Sequence, residues 1–208
     1  SFTPQAAPAN RVRDDGGKVQ PLIGSQYEVG TKLALMNDRL LLSAAVYQIE
    51  QTNRIFNPPE LTTVYLQVGK VRSRGIEAEA TGEILPGWRV NGGYTYTRNE
   101  YLEDTQPQYE GLSLTPIIPR HMIKAFTNYT VPAGMLRGAS VGGSVTWFSE
   151  TFGGTPSIVV PVSVATPNGR SISSVVRQPA YAVVDLRAGY KVSEQLSLSV
   201  NVANVLDK

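Results

Sequence analysis

The chain has 208 residues, a formal net charge of +2 and only 17% charged residues. That is the size of one domain, and it lacks the clustered Lys and Arg that track a phosphate backbone, which argues against a nucleic-acid partner. Cysteine is absent, which removes disulfides and Cys-ligated zinc. No run approaches the roughly 18 apolar residues of a spanning helix, while a mean hydropathy of −0.14 is what alternating barrel strands leave behind.

Taken in order, the chain opens with a Ser1 to Ser25 stretch that reads as a connection. Its first residues, Ser1-Phe2-Thr3-Pro4, lack the charged segment and apolar core of a secretion signal, so such a signal is expected upstream. Tyr27, Val29, Leu33 and Leu35 then alternate with Glu28, Gly30, Lys32 and Ala34, which predicts a two-faced strand. Leu40 to Gln51 and Val64 to Ile84 are noisier but rich in β-branched and aromatic residues. In the next strand Trp88, Val90, Tyr94 and Tyr96 oppose Arg89, Asn91, Thr95 and Thr97. His121 to Thr130 follows. Val141, Val145 and Trp147 then oppose Ser140, Ser144 and Thr146. Ala182, Val184, Leu186, Ala188 and Tyr190 oppose Asp185, Arg187 and Gly189. In the last strand Leu196, Leu198, Val200 and Val202 alternate with Ser197, Ser199, Asn201 and Ala203.

These eight strands are joined by connections that alternate short and long. The short ones lie at Asn37-Asp38, Leu85-Pro86-Gly87, Val131 to Gly138 and Val192 to Gln195. The long ones run from Thr52 to Thr63, Leu102 to Arg120 and Gly153 to Pro179. In an up-and-down meander every second connection falls at the same end, so this rhythm puts turns at one end and loops at the other. Transmembrane barrels have that asymmetry, with short periplasmic turns and long extracellular loops. A Greek-key sandwich has no reason to keep it. The expected fold is therefore all-β, a transmembrane antiparallel up-and-down β-barrel.

A Lys or Arg facing lipid at mid-membrane costs about 2–4 kcal/mol. Asp185 and Arg187 are thus expected toward the lumen, with Val184 and Leu186 toward lipid. The same rule sends Glu77 and Glu79 inward. Lys70, Arg72 and Arg74 share the parity of the apolar Ile76, Ala78 and Ala80. Their strand descends from a long loop, so they are expected above the hydrocarbon, within reach of lipid headgroup phosphates. Trp88 and Tyr190 fall beside short turns, where amphipathic rings suit the membrane interface.

The chain resembles the TonB-dependent siderophore receptors, and the ferrichrome and hydroxamate receptors most among them. The resemblance rests on passages that follow one another in the family's order. It starts at Ser1 to Gln5 and Asp15 to Lys18, and continues with Gly24 to Lys32 and Ala45-Val46-Tyr47. Gly69-Lys70-Val71-Arg72-Ser73-Arg74-Gly75-Ile76-Glu77-Ala78-Glu79 is similar to the family's most recognisable barrel motif. Gly93 to Thr97, Pro119-Arg120-His121 and Tyr181 to Asp185 follow. Asn201 to Lys208 is similar to the Asn-Leu-Phe-Asp-Lys element near the barrel's end, with Val205-Leu206 as a departure.

The resemblance implies that residues 1–208 form about eight strands of a 22-stranded barrel, without the N-terminal plug and the last strands. It also implies energy-coupled import of a ferric siderophore, which is cargo rather than cofactor, with TonB acting through the plug and the wall seated in outer-membrane lipid. Phe56, Tyr101, Tyr109 and Arg170 are the loop aromatics and cation suited to a flat, anionic chelate. A passive or small structural outer-membrane barrel is the alternative.

An enzyme reading lacks parts. His121 has no second His or Cys with which to build a metal site. Glu77 and Glu79 stand about 7 Å apart along a strand, as any alternating pair does. Asp14-Asp15-Gly16-Gly17 reads as a turn. No phosphate-cradling loop or nucleophile elbow occurs.

Overall fold

The computed structural model describes residues 2–5, 12–13, 16–56, 64–104, 110–153 and 176–208. Among these residues every regular element is a strand: β1 (Phe2–Gln5), β2 (Val12–Arg13), β3 (Leu22–Leu35), β4 (Leu40–Phe56), β5 (Val64–Leu85), β6 (Trp88–Glu103), β7 (His121–Thr130), β8 (Ala139–Phe148), β9 (Thr151–Gly153), β10 (Val176–Gln178), β11 (Tyr181–Lys191) and β12 (Ser197–Val202). Hydrogen-bonded neighbours run β1-β3-β4-β5-β6-β7-β8-β11-β12, with β2 beside β5 and with β9 and β10 forming a separate pair. All eight expected strands are present, in an up-and-down order.

Several boundaries differ from expectation, among them β10 (Val176–Gln178) inside the expected Gly153 to Pro179 connection. The opening stretch is not all connection, because β1 pairs antiparallel with the start of β3, Phe2 opposite Ser25 and Gln5 opposite Leu22. Its Phe-Thr-Pro-Gln sequence is too short and irregular to show alternation, so pairing rather than pattern makes it a strand. β4 extends past Gln51 to Phe56, and β6 extends to Glu103. Strand hydrogen bonding therefore continues into segments whose polar composition reads as loop.

The short connections are built by residues that accept a left-handed backbone. Asn37 and Asp38 have φ of 56° and 65°, which their short polar side chains tolerate. Pro86 precedes Gly87 at φ 80°, the order a type II turn requires.

The chain forms two compact units, each built from part of β3 to β6. The first comprises Ser1–Leu33, Leu42–Ala78 and Thr95–Thr115. It holds the buried residues Val19, Val71 and Glu100. Its tightest packing is at Gly75, which is also buried. A Cβ added there would stand 2.2 Å from the Tyr96 carbonyl oxygen and 2.6 Å from the Tyr47 hydroxyl. The Tyr47 ring crosses β5 in the space left by that missing methyl, and its hydroxyl lies 2.8 Å from Thr97 Oγ1 on β6. An aromatic covering a strand glycine in this way is a recognised means of pinning register.

The second unit comprises Ala34–Leu41, Glu79–Tyr94 and Pro116–Lys208. Its register sorts side chains onto two faces, since residues directly opposite on paired strands share one. One face carries Ile123, Ala125 and Tyr129 of β7 against Trp147, Val145 and Val141 of β8. It continues through Ala182, Val184 and Ala188 of β11 to Val202, Val200 and Leu198 of β12. The other face carries Lys124, Asn128 and Thr130, then Thr146 and Ser140, then Asp185 and Arg187, then Asn201 and Ser199.

The apolar face is uncovered. Val200 is 66% and Leu198 58% exposed. Only Val19 and Val71 form a buried apolar core among the described residues. A soluble sandwich would bury such a face against a second sheet about 10 Å away, and none is present here among the described residues.

Candidate functional site

The polar face of the second unit is held by side chains that hydrogen-bond across strands. Asp185 is its best-organised group. One carboxylate oxygen accepts from Ser144 Oγ on β8 at 2.8 Å, and the other accepts from the Asn204 backbone N–H at 2.9 Å. Arg187 stands on the same face, opposite Gly142 and Asn201, with its side chain exposed. Arg39 and Glu83 pair at 3.1 Å near the short turns. With Arg89, Asn91, Thr81 and Phe126 they line an open groove.

The apolar face carries its aromatics beside the short turns. Trp88 Nε1 donates to Thr127 Oγ1 at 2.7 Å, and its ring meets Tyr129 edge-on with centroids 6.5 Å apart. Tyr190 lies opposite Ala139 at the same end. Trp88 and Tyr190 are 38% and 44% exposed, with a polar tip on an apolar body, which suits a boundary between oil and water. His121 packs against Tyr94, whose hydroxyl lies 2.8 Å from its Nδ1.

On β5 Glu77, at the end of the first unit's part of the strand, and Glu79, at the start of the second unit's part, share the parity of Gly75 and Thr81, and both are exposed. Tyr101 does not stand in a loop as expected but on β6. Its backbone N–H donates to the Leu112 carbonyl at 3.1 Å, and its carbonyl accepts from the Gly111 N–H at 2.8 Å. Beside it Ser113 Oγ donates to Asn99 Oδ1 at 2.8 Å. The segment after β6 is thereby laid back along the strand, so the ends of these loops are built parts of the wall. Phe56 closes β4, with a side chain outside the described set, and Tyr109 and Arg170 lie outside the described residues. Of the four expected ligand contacts, only the Tyr101 side chain falls among the described residues.

Sequence reasoning missed a charged centre in the first unit. Glu100 is 4% exposed. Its carboxylate receives Arg72 at 2.6 Å and Arg98 at 2.7 Å, with Arg74 at 3.8 Å. Lys70 pairs with Glu50 at 2.6 Å alongside. The hydrogen bond from Arg72, helped by the charges of Arg98, Arg72 and Arg74, holds the Glu100 carboxyl below its ordinary range although burial pulls the other way. The alternating Arg72 and Arg74 were a signal for this centre. Their partner, the lone Glu100 on the neighbouring strand, gave none.

Residues 1–205 match the family model of the TonB-dependent receptor-like β-barrel. The chain belongs to this family. It is 30% identical over its whole length to a ferric-pyoverdine 358 receptor of Pseudomonas putida, of which it covers 23%. It is 33% identical, over 74% of its length, to a ferrichrome outer membrane transporter and phage receptor of Escherichia coli, covering 20% of that protein. The solved ferripyoverdine receptor of Pseudomonas aeruginosa, bound to ferripyoverdine, superposes on all of the chain with a TM-score of 0.79 at 28% identity, over 26% of its own length. The chain thus spans about a quarter of the length of these relatives. Membership makes it an outer-membrane barrel wall, in keeping with the exposed apolar face and the absence of helices among the described residues.

Proposed function

We propose that this chain is part of the wall and extracellular loops of a receptor that imports ferric siderophores, with transport coupled to TonB through the plug of the whole receptor. The observation that carries the reading is a likeness, along the whole of this chain, to about a quarter of the length of siderophore receptors, on a sheet with one polar and one uncovered apolar face. Glu77, Glu79, Asp185 and Arg187 face the lumen and the plug in this reading. Trp88 and Tyr190 sit at the membrane interface. Phe56, Tyr101, Tyr109 and Arg170 serve the chelate at the loop end. No bond is made or broken, so the protein is not an enzyme and needs no cofactor. The ferric siderophore is cargo.

The test is growth of the host under iron limitation, with and without the gene, on defined ferric hydroxamate, pyoverdine and catecholate chelates. Loss of growth on at least one chelate, restored by the intact gene and dependent on a functional TonB complex, is expected. Equal growth on every chelate overturns the reading.

A further inference from the structure

β5 is 22 residues long, twice the roughly 9–11 that a tilted strand needs to span the hydrocarbon, so its first residues stand clear of the membrane on the loop side. Gln67 lies there, on the face of Gly75 and Glu77, the lumen face of the proposed wall. Its side-chain amide pairs with both backbone polar groups of one residue. Oε1 accepts from the Gln20 N–H at 3.1 Å, and Nε2 donates to the Gln20 carbonyl at 2.8 Å and to the Asn53 carbonyl at 3.1 Å. Asn53 Nδ2 in turn donates to the Pro21 carbonyl at 3.0 Å. One glutamine thus does for Gln20 what a neighbouring strand would do, and the segment from Gly16 to Pro21 is clasped to the loop ends of β4 and β5.

The segment rests on the wall by one side. Val71 follows Gln67 on the same face of β5 and is 3% exposed, and Val19 of the segment is 6% exposed; these are the two buried apolar residues among those described. The backbone is extended at Lys18, and extended backbone sends neighbouring side chains to opposite sides. With Val19 turned to the wall, Lys18 is turned to the lumen. Lys18 is exposed and has no acid partner among the described residues. A lysine on a free loop loses entropy when a ligand orders it. Fixed at the entrance of a cleft, the same charge raises the arrival rate of anions.

We infer that the segment from Gly16 to Pro21 is a fixed ledge at the lumen mouth, on which Lys18 receives negatively charged ferric chelates, with Gln67 as the positioning residue. Resting on the transport reading, this narrows the cargo to chelates that keep a net negative charge, through catecholate or free carboxylate groups.

The experiment mixes the full-length receptor in detergent micelles with ferric chelates in stopped flow, and tryptophan quenching gives the association rate. The anionic probes are a ferric tricatecholate and ferripyoverdine, and the uncharged one is ferrichrome. Wild type should bind at least one anionic probe, and Lys18→Gln should slow its association about threefold or more at low ionic strength. The gap should close in molar salt, which screens the charge. Lys18→Arg should keep the wild-type rate, and any binding of ferrichrome should be the same in every variant. Gln67→Ala should speed hydrogen exchange across residues 17–22 and slow the anionic probe. Combined with Lys18→Gln it should slow that probe no further, since Gln67 acts through Lys18. An anionic rate that Lys18→Gln leaves unchanged overturns the ledge, and so does a wild type that binds ferrichrome alone. A Gln67→Ala rate equal to wild type, despite faster exchange, overturns the positioning role. Binding of none of the three probes sinks the transport reading itself, so the two failures are told apart.

Discussion

Glu100 shows how one residue can hold a surface that its neighbours would otherwise push apart. Three guanidiniums within reach of each other repel, and a single carboxylate, 4% exposed, makes their proximity favourable. Removing its charge leaves half-buried cations without a counter-ion. Glu100→Gln is therefore expected to destabilise the folded barrel by about 1–3 kcal/mol, read as a lower melting temperature in detergent. The pH dependence has a definite sign. A carboxyl held below its ordinary value in the folded state contributes stability above the ordinary glutamate range, and that contribution fades as pH falls through the lowered value. Wild type should lose more stability than Glu100→Gln across that acid range. Parallel acid titrations of the two would remove the carboxylate from this role.

Among the elements, the segment after β12 departs furthest from what periodicity can describe. Asn204 and Asp207 take φ of 51° and 50°. The Asn204 side chain donates to the Lys208 carbonyl at 2.9 Å and accepts from the Lys208 N–H at 3.0 Å. Its own N–H reaches Asp185, and the Val205 N–H reaches the Val184 carbonyl at 2.9 Å. The chain reversal is thus tied to β11 by one asparagine and one aspartate. Asn204→Gly keeps the backbone conformation and loses two side-chain hydrogen bonds, each worth about 1 kcal/mol. Asn204→Ala loses both and adds the left-handed strain of about 1–2 kcal/mol. Ala should therefore be the less stable of the two in thermal melts, and the reverse order would show that φ is not what the position requires.

The eight main strands were legible because five show local alternation, as in Leu198, Val200 and Val202 against Ser197, Ser199 and Asn201, and the other three are rich in β-branched and aromatic residues. The short strand β1 was not, since its partners lie in β3 and no local period announces them. Tyr101 was misplaced for a related reason: it stands beside the expected long connection from Leu102, and β6 continues past it to Glu103. The Glu100 centre needed knowledge of which strand stands beside β5, and spacing along one strand does not carry that.

For the whole molecule, the exposed apolar face makes the bilayer the partner that completes the fold. Val200 stands in that face and Ser199 in the opposite one. Val200→Arg should cost about 2–4 kcal/mol at mid-membrane depth, and Ser199→Arg much less. Heat-modifiable electrophoresis of outer membranes should show less folded receptor for the first. Equal yields would mean that the two faces do not meet different solvents.

The notch at Gly75 reaches beyond its own neighbourhood. Tyr47 fits over β5 only where a side chain is missing, so sliding β5 by two residues, which preserves both faces, would set Ser73 or Glu77 beneath the ring. Gly75 thereby fixes how far β4 stands above β5 along the strand direction. In a closed barrel such offsets sum to the shear, and shear with strand number sets tilt and radius. The absence of one methyl group is in this way part of what gauges the width of the barrel.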